Sequence, residues 1–395
     1  MPSKLWGVNK KVYLMGFVSL LTDISSEAIF AVFSLFFTAI LGASTALLGI
    51  IEGLADFSAS SLDYLAGYLA DKTGKNKPWT AVGYGFSTIA KVFLVFANTV
   101  LFAAAFRVIE RLGKSFRGPP RDAWLSSLTT DANRGISFGI HKALDKSGAI
   151  IGPLLAYFIL NRFGQTAGGL GILFKVALIP ATLAVILLLF ISEKKTTTEK
   201  KEKRENIFNA YKSLGAGYKH YLYSAGIFSL AYFSFAFLLL KAHTVGFQIK
   251  DIVLLYVLFN LAFVLASVPI GKLGDRIGRI RIIGLGYTLY FMMSLGFIFA
   301  TTRREVISLF VLFGIFYAID EGQSKAYISD LEKEKRGTAI GLYNFITGMI
   351  FLPASVIAGL LWRINPNYVF IFAAMVSLIA LVFFLQFKLF DKPQD

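Results

Sequence analysis

Apolar runs long enough to cross a lipid bilayer recur along the whole chain, and this pattern restricts the fold more than any other feature. A helix needs about 20 apolar residues to span a hydrocarbon core of about 30 Å. The 395 residues are 56% apolar and 16% charged, whereas soluble domains are typically about 45–50% apolar and about 25% charged. The sequence therefore predicts an all-α polytopic membrane protein, because a β-barrel would show short alternating segments instead.

Twelve spans can be placed along the sequence. They are predicted at residues 12–40, 47–70, 80–97, 99–128, 136–160, 170–191, 220–242, 247–270, 282–300, 306–330, 338–361 and 367–390. Between the sixth and seventh lies SEKKTTTEKKEKREN, residues 192–206, which is charged and without periodicity. It is predicted as a cytosolic linker between an N-terminal six-helix bundle, 1–191, and a C-terminal six-helix bundle, 207–395.

The basic residues indicate which side of the membrane each loop faces. Loops and termini on one predicted side hold 24 Lys and Arg, and the ends of spans on the other side hold six. Because cytoplasmic loops collect Lys and Arg, both termini are predicted on the cytoplasmic side of the cytoplasmic (inner) membrane. The same rule accounts for the net charge of +16, so no nucleic-acid partner is predicted. The first apolar run is interpreted as a membrane span and not as a signal peptide.

The sequence lacks the residue patterns of common enzymes, cofactor sites and metal sites. The chain has no Cys and only three His, which excludes thiolate chemistry and shows no clustered metal spacing. It contains no nucleotide-binding P-loop, which disfavours a pump driven by ATP. The sequence therefore predicts neither an enzyme nor a cofactor or metal site.

The two halves of the chain resemble each other. GYLADKTGKNK at residues 67–77 matches GKLGDRIGRIR at residues 271–281, an offset of 204. Arg134 matches Arg336 at an offset of 202, and Pro153 matches Pro353 at an offset of 200. Parallel repeats of this kind are a known plan of transporters, so a duplicated six-helix unit is predicted.

These two motifs resemble the loop motif between helices two and three of the major facilitator superfamily, and its second copy. The residues that carry the resemblance are Gly67, Asp71, Gly74 and Lys75, then Gly271, Asp275, Arg276, Gly278 and Arg279. The resemblance covers essentially the whole chain and implies two bundles that rock about a central cavity. In this interpretation the glycines permit tight turns, and the Asp pairs with a base to hold one state of the cycle.

SGAIIGPLLA in the fifth span is similar to a motif of the antiporter members, through Gly148, Gly152 and Pro153. The resemblance implies the prokaryotic efflux and antiporter branch. Ala156 and Tyr157 stand where that motif has a further Gly pair, so plain helix packing through small residues is an equal alternative. The fourth span also departs from the family, because Arg107 is followed by Arg111 where a Gly is usual.

The fourth span carries charge on one face. If it ended at residue 112 it would cover only about 21 Å, so it must continue through Lys114 and Arg117. At about 100° per residue, Arg107, Glu110, Arg111, Lys114, Arg117 and Arg121 lie within an arc of about 120°. Six charges on one face are predicted to line a water-filled cavity. The sequence Gly118-Pro119-Pro120 is predicted to kink or break the helix.

Acidic residues on other spans are the predicted partners of these bases. The candidate proton-coupling residues are Asp23, Glu27, Asp56 and Asp145. The candidate substrate-binding residues are Lys114, Arg117, Arg121, Lys146 and Lys325, which suit an anionic group. The alternative is a structural ion-pair network, since buried charges require partners. The two interpretations are equally favoured for Glu52, Asp63, Glu110 and Arg111. Lys91 is expected to snorkel or to form local pairs.

The predicted function is proton-coupled secondary transport of a small organic compound by alternating access, as an exporter working by H⁺ antiport. The predicted partners are the lipid bilayer, the small-molecule substrate and protons, for a monomeric chain. The alternatives are proton-linked uptake of an organic anion and a transporter-like sensor without flux; Na⁺ coupling also stays open. The C-terminal half is poorer in embedded charge and is predicted to shape an apolar side of the site with residues such as Tyr232, Tyr290 and Tyr343.

Overall fold

The computed structural model of the protein describes residues 4–5, 8–130, 133–193, 211–333 and 335–390, and these are almost entirely helical. A small antiparallel hairpin, β1 (Lys4–Leu5) and β2 (Val8–Asn9), precedes the helices. The first half contains α1 (Lys10–Leu35), α2 (Thr45–Thr73), α3 (Asn76–Val95), α4 (Val100–Ser127), α5 (Arg134–Phe163) and α6 (Ala167–Phe190). The second half contains α7 (Ala216–Ala231), α8 (Ala236–Thr244), α9 (Ile249–Ile277), α10 (Arg279–Phe299), α11 (Arg303–Leu331), α12 (Arg336–Ile364) and α13 (Pro366–Phe390).

Eight helical segments of the described chain are long and apolar enough to cross a membrane. They are α1 with the π-helical turn Phe36–Ile40 that extends it, α5, α6, α7 with α8, α9, α10, α12 and α13. Each of the other four helices, α2, α3, α4 and α11, has at least 20 residues. These four correspond to predicted spans whose apolar runs are interrupted by polar or charged side chains. Together the described helices occupy all twelve predicted positions.

Helix α4 is continuous from Val100 to Ser127, with Pro119 and Pro120 inside it. Of the two outcomes predicted at Gly118-Pro119-Pro120, a break is therefore absent, and a kink stays a prediction. A proline disfavours the helical conformation of the preceding residue through a clash with its Cβ. Gly118 has no Cβ, and this relieves the clash before Pro119. The helix loses two backbone donors but continues to Ser127.

The break lies instead in the seventh span, where α7 ends at Ala231 and α8 begins at Ala236. Side chains satisfy the backbone groups that the break exposes. The Tyr290 hydroxyl donates to the carbonyl of Ala231 over 2.8 Å, and the N–H of Ser234 donates to Ser355 Oγ over 3.3 Å. Non-helical backbone at membrane depth requires such partners. Residues 232–235 contain neither Gly nor Pro, so no residue pattern indicates this break.

The chain divides into two compact units. The first comprises the described residues of Met1–Ala43, Leu54–Lys201 and Gln248–Val257, and the second those of Ser44–Gly53, Glu202–Phe247 and Leu258–Asp395. In the first unit α1 packs mainly on α5 and α6, and α3 on α4. In the second unit α10 packs on α11 and α13, and α7 on α12 and α13. The predicted linker, 192–206, lies outside the described residues except for its first two, so the predicted domain bounds remain a prediction.

The beginning of the linker is fixed to the first unit. Lys11 Nζ donates to the carbonyl and the Oγ of Ser192, over 2.7 and 2.9 Å. The carboxylate of Glu193 accepts from the backbone N–H groups of Asn76 and Lys77, over 2.7 and 3.0 Å. Glu193 therefore caps the N-terminus of α3, where a negative charge also complements the helix dipole.

Candidate functional site

The charged face of α4 points into the first unit. Arg107, Glu110 and Arg117 are almost completely buried, at 3%, 5% and 4% exposure. Arg111 and Arg121 are half-buried, whereas Lys114 is exposed. Charges that are buried in this way must be paired or hydrogen-bonded. Their partners come from α1, α2, α3 and α5, as described in turn below.

Asp23 on α1 faces Arg117. Arg117 Nη2 lies 3.9 Å from Asp23 Oδ1, and Arg117 Nη1 donates to Ser87 Oγ on α3 over 2.8 Å. The guanidinium also lies 4.9 Å from the centre of the Tyr84 ring. A Cβ on Gly148 of α5 would lie 2.8 Å from the Cβ of Asp23, so this glycine lets α5 approach α1 closely. The acid is thus held between two helices beside a buried cation.

Asp145 on α5 forms a second acidic centre. Ser19 Oγ on α1 donates to Asp145 Oδ1 over 2.7 Å, and Arg121 Nη1 lies 3.9 Å from the same oxygen. Arg121 also pairs with the exposed Asp122 over 3.0 Å. Lys146 is half-buried and, with Lys142, acts electrostatically on Asp145. This centre joins α1, α4 and α5.

Glu27 and Asp56 have separate partners. The Tyr256 hydroxyl on α9 donates to Glu27 Oε2 in a short hydrogen bond, and the Tyr256 ring packs on Phe30, with 5.5 Å between centroids. Arg111 Nε lies 3.3 Å from Asp56 Oδ1 on α2. Glu52 and Asp63 lie on the same helix as Asp56. Asp63 is exposed. The other, Glu52, belongs to the second unit, where Ser234 Oγ donates to Glu52 Oε2 over 2.9 Å.

Lys91 on α3 is fully buried, with no exposed area. Its Nζ donates to Ser26 Oγ over 3.0 Å, and Ser26 Oγ donates to Glu110 Oε1 over 3.3 Å. Arg107 Nη1 lies 3.8 Å from the other oxygen of Glu110. Lys91 therefore does not snorkel, and its direct partner is a serine and not an acid. Sequence reasoning did not foresee that this serine joins Lys91 to Glu110 of α4.

The remaining predicted substrate-binding lysines differ in environment. Lys325 on α11 pairs with Glu321 over 2.8 Å, and both side chains are about 40% exposed. Lys114 has neither a salt bridge nor a hydrogen bond to any described residue, although it acts electrostatically on Asp23. Among the candidate bases on α4, Lys114 therefore has a charge that is not directly paired with a described acid.

The two loop motifs have turns that require glycine. Gly74 has a φ of 63° and Gly278 a φ of 95°, conformations that residues with a Cβ rarely adopt. In the second motif Arg279 pairs with Asp275 over 3.2 Å and with Asp330 over 2.7 Å. The side chain of Asp71, the equivalent acid in the first motif, lies outside the described part of the structure. Gly67 and Gly271 lie within α2 and α9, Lys75 precedes α3, and Arg276 lies in the last turn of α9.

The small-residue motif of α5 is packed against α1. A Cβ on Gly148 would lie 2.7 Å from the carbonyl oxygen of Leu20, and one on Gly152 would lie 2.5 Å from that of Ile24. Pro153 lies within the continuous α5. This close approach of α5 to α1 agrees with helix packing, one of the two interpretations of this motif. Within the described residues, no group of three His, Asp or Glu side chains is placed to hold a metal.

Comparison with known proteins identifies the class. The sequence model of the Major Facilitator Superfamily matches residues 15–244 and 222–395. An uncharacterized MFS-type transporter of Methanocaldococcus jannaschii is 36% identical over 94% of both chains. Multidrug resistance protein 1 of Bacillus subtilis is 25% identical over 82% of both chains. A crystal structure of a nucleoside transporter NupG variant superposes with a TM-score of 0.79, at 13% identity, over 95% of this chain and 99% of the other.

The chain belongs to the major facilitator superfamily. Its fold is the all-α membrane fold of that family, with twelve spans in two six-helix bundles. It is a multi-pass membrane transporter of a small molecule and not an enzyme. The sequence-based predictions of family and fold are thereby confirmed.

Proposed function

We propose that the protein is a proton-coupled exporter that exchanges a small organic compound for protons across the cytoplasmic membrane. It acts as a monomer with both termini in the cytoplasm, and the compound carries an anionic group. The N-terminal bundle, 1–191, supplies the coupling residues, and the linker 192–206 connects it to the C-terminal bundle, 207–395. The relatives named multidrug resistance proteins support export as the direction.

One observation carries the proposal: Asp23 is a half-buried acid that faces the buried Arg117, while the nearby Lys114 is exposed and unpaired. Helix α4 holds five bases and only two acids, Glu110 and Asp122. This excess of positive charge attracts an organic anion. Burial raises the free energy of an ionised carboxylate and a nearby cation lowers it, so small changes around Asp23 alter its proton affinity.

Coupling then follows from competition for the Asp23 carboxylate. When the substrate binds, its anionic group is held by Lys114 and Arg117, and a hydrogen-bond donor of the same compound binds ionised Asp23, so that Asp23 releases its proton. When the substrate leaves, Asp23 takes up a proton again, so that substrate and proton exclude each other as exchange requires. Asp145 with Arg121, Glu27 with Tyr256 and Asp56 with Arg111 are additional proton sites of the same kind. Lys146 adds a base beside Asp145 in the first unit, and Lys325 is a substrate-binding base of the second unit.

The conformational motifs stabilise the states between which the bundles rock. In the second motif Arg279 connects Asp275 on α9 with Asp330 on α11, and the first motif uses Asp71 and Lys75 in the same role. Gly148, Gly152 and Pro153 let α5 slide on α1. Ion pairs of this kind are suited to a switch because each requires both partners to keep their positions.

The test combines ligand screening with transport. Purified protein is screened for thermal stabilisation by small aromatic and aliphatic carboxylates, and the best ligand is tested in proteoliposomes containing a pH-sensitive dye. We expect substrate to drive proton movement in the opposite direction. Asp23→Asn should abolish the coupled proton movement, and Lys114→Ala should weaken binding about ten-fold, the loss of one partly desolvated charge pair.

Lys175→Ala is the matched control, because Lys175 is an exposed lysine on α6. It should leave binding and flux unchanged. Proton movement in the same direction as the substrate would favour uptake by symport. Tight binding with no flux would favour a sensor. Unchanged ligand binding and unchanged pH dependence in Asp23→Asn, Glu27→Gln and Arg117→Ala together would place the site elsewhere.

A further inference from the structure

Tyrosines of three other elements pack on the part of α11 that carries Asp320. Phe316, one turn before Asp320, lies 4.9 Å from the ring of Tyr290 on α10 and 5.9 Å from that of Tyr232, just beyond α7. Tyr327, two turns after Asp320, lies 5.1 Å from the ring of Tyr221 on α7. The Asp320 side chain is half-buried and lies between these aromatic contacts along the helix.

No basic side chain neutralises Asp320 by direct contact in the described part of the chain. The nearby Lys325 pairs with Glu321 over 2.8 Å. Asp320 itself forms no salt bridge with a described residue. A carboxylate in an aromatic environment without a paired cation lacks the compensation that buried charges require. A positively charged ligand would supply that compensation.

The rings form a continuous aromatic surface around this acid. The Tyr232 ring lies 5.8 Å from Tyr290 and 6.3 Å from Phe351, and Phe228 stacks on Tyr287 with 4.1 Å between centroids. Tyr221 stacks parallel to Tyr343 at 6.0 Å. Tyr232 and Tyr343 are half-buried, so part of each ring stays accessible.

Polar groups lie within this aromatic surface. Tyr221 is 4% exposed, and its hydroxyl lies close to the hydroxyls of Ser324 and Tyr343. Ser324 also lies beside Asp320, one turn away on α11. The carboxylate and the tyrosine hydroxyls therefore belong to one cluster.

These features favour one ligand chemistry. Aromatic faces attract cations, and aromatic cages are a common means of recognising quaternary ammonium groups. A carboxylate within such a cage adds a full charge of the opposite sign, which disfavours anions. An amine or quaternary ammonium that carries an aromatic or aliphatic body fits both the charge and the apolar rings.

We propose that Asp320, together with Tyr232, Tyr343 and their neighbouring tyrosines, forms a binding site for an organic cation in the second unit. The site is separate from the basic face of α4, and binding to it needs no proton gradient. The inference does not rely on the proposed function, because the compound proposed there carries an anionic group and this site binds a cation.

The test is calorimetric titration of the purified full-length protein with phenyltrimethylammonium. We expect saturable binding, and no comparable binding of tert-butylbenzene, which has the same shape without the charge. Asp320→Asn keeps the shape of the side chain and should weaken binding at least about ten-fold, as a desolvated cation site implies. Tyr343→Leu should weaken binding about five-fold, whereas Tyr343→Phe, which keeps the ring, should change it less than about two-fold.

Glu305→Gln is the control, because Glu305 is an exposed acid at the start of the same helix and Gln can keep its capping interaction. It should bind the cation as the unmodified protein does. The proposal is overturned if Asp320→Asn, still folded by size-exclusion and thermal unfolding, binds with unchanged affinity, or if tert-butylbenzene binds equally well. Asp23→Asn separates the two proposals. If it loses proton-coupled flux but still binds the cation, the result supports the coupling role of the first unit and leaves the cation site intact. If it keeps proton-coupled flux while Asp320→Asn loses cation binding, only the coupling role of Asp23 is contradicted.

Discussion

Glu110 illustrates how single residues hold the charged interior of the first unit together. Its carboxylate accepts from Ser26 of α1 and lies near Arg107 of α4, while Lys91 of α3 reaches the same serine. Its backbone carbonyl also accepts from Ser87 Oγ over 3.4 Å. Three helices therefore meet at one acid, and the surrounding cations depend on its charge.

Glu110→Gln should destabilise the protein by about 3 kcal/mol, because it leaves buried cations without their counter-charge. The measurement is thermal or denaturant unfolding of the purified protein in a mild detergent. Asp122→Asn on the same helix is the control, since Asp122 is 53% exposed and its pair is worth at most about 1 kcal/mol. Equal stability of the two variants would show that Glu110 is not the centre of this network.

The sequence predicted the charged residues of the candidate site better than their partners. Helical periodicity placed the bases of α4 on one face, because that depends only on spacing along one helix. Ser19, Ser26 and Ser87 were not predicted as bridges, since which serine lies opposite an acid depends on the packing of two helices. Glu52 and Asp56 share a helical face, yet the structure assigns them to different units.

At the level of helices, α3 and α4 are held together through a pair of glycines. A Cβ on Gly83 would lie 2.6 Å from the carbonyl oxygen of Gly113, and one on Gly113 would lie 2.6 Å from that of Gly83. Arg117 also depends on this approach, because its backbone N–H lies beside Gly83. Close contact of small residues is the usual way for helices to associate in membranes.

Gly83→Ala should therefore lower the free energy of unfolding by about 1–3 kcal/mol, since the added methyl group overpacks the contact. Gly85→Ala, two residues away, is the matched control because a Cβ there meets no atom within 4 Å. It should leave stability unchanged or raise it by up to about 1 kcal/mol, as alanine favours the helix. Unfolding in detergent compares the two, and an equal effect would refute the close contact.

Helix positions were predictable because each span must cover the hydrocarbon core with apolar residues. The ends of the helices were less predictable than their positions. The eighth predicted span stops at residue 270, whereas α9 continues to Ile277. Hydropathy follows the apolar core, and the helix extends beyond it into polar sequence. The prolines of α4 do not break the helix, because Gly118 relieves the clash before Pro119. The seventh span breaks without a Gly or Pro at residues 232–235, because side chains of other helices satisfy its backbone.

At the level of the whole molecule, the two halves repeat helix by helix. Helices α2 and α9 both have 29 residues, α4 and α11 have 28 and 29, and α5 and α12 have 30 and 29. The sequence offsets of 200–204 residues predicted this correspondence. The charge distribution does not repeat, since α4 carries five bases and α11 carries three, Arg303, Arg304 and Lys325.

The proposed orientation can be tested without altering any native cysteine, because the chain has none. Single cysteines are introduced as Ser3→Cys and Ser44→Cys and labelled in intact cells with a membrane-impermeant maleimide. Ser44 is exposed, in the loop between α1 and α2, and should react from outside, whereas residue 3 should react only after the cells are opened. The opposite pattern would invert the topology derived from the positive-inside rule.

The interruption of the seventh span also has a consequence for the order in which the protein is assembled. The side chains that satisfy the exposed backbone at residues 231 and 234 belong to Tyr290 and Ser355, synthesised 59 and 121 residues later. A continuous helix satisfies its own backbone in lipid, whereas an interrupted one requires partners. We therefore expect the span to enter the bilayer as one uninterrupted helix, and its two parts to separate only when the spans carrying Tyr290 and Ser355 have packed against it.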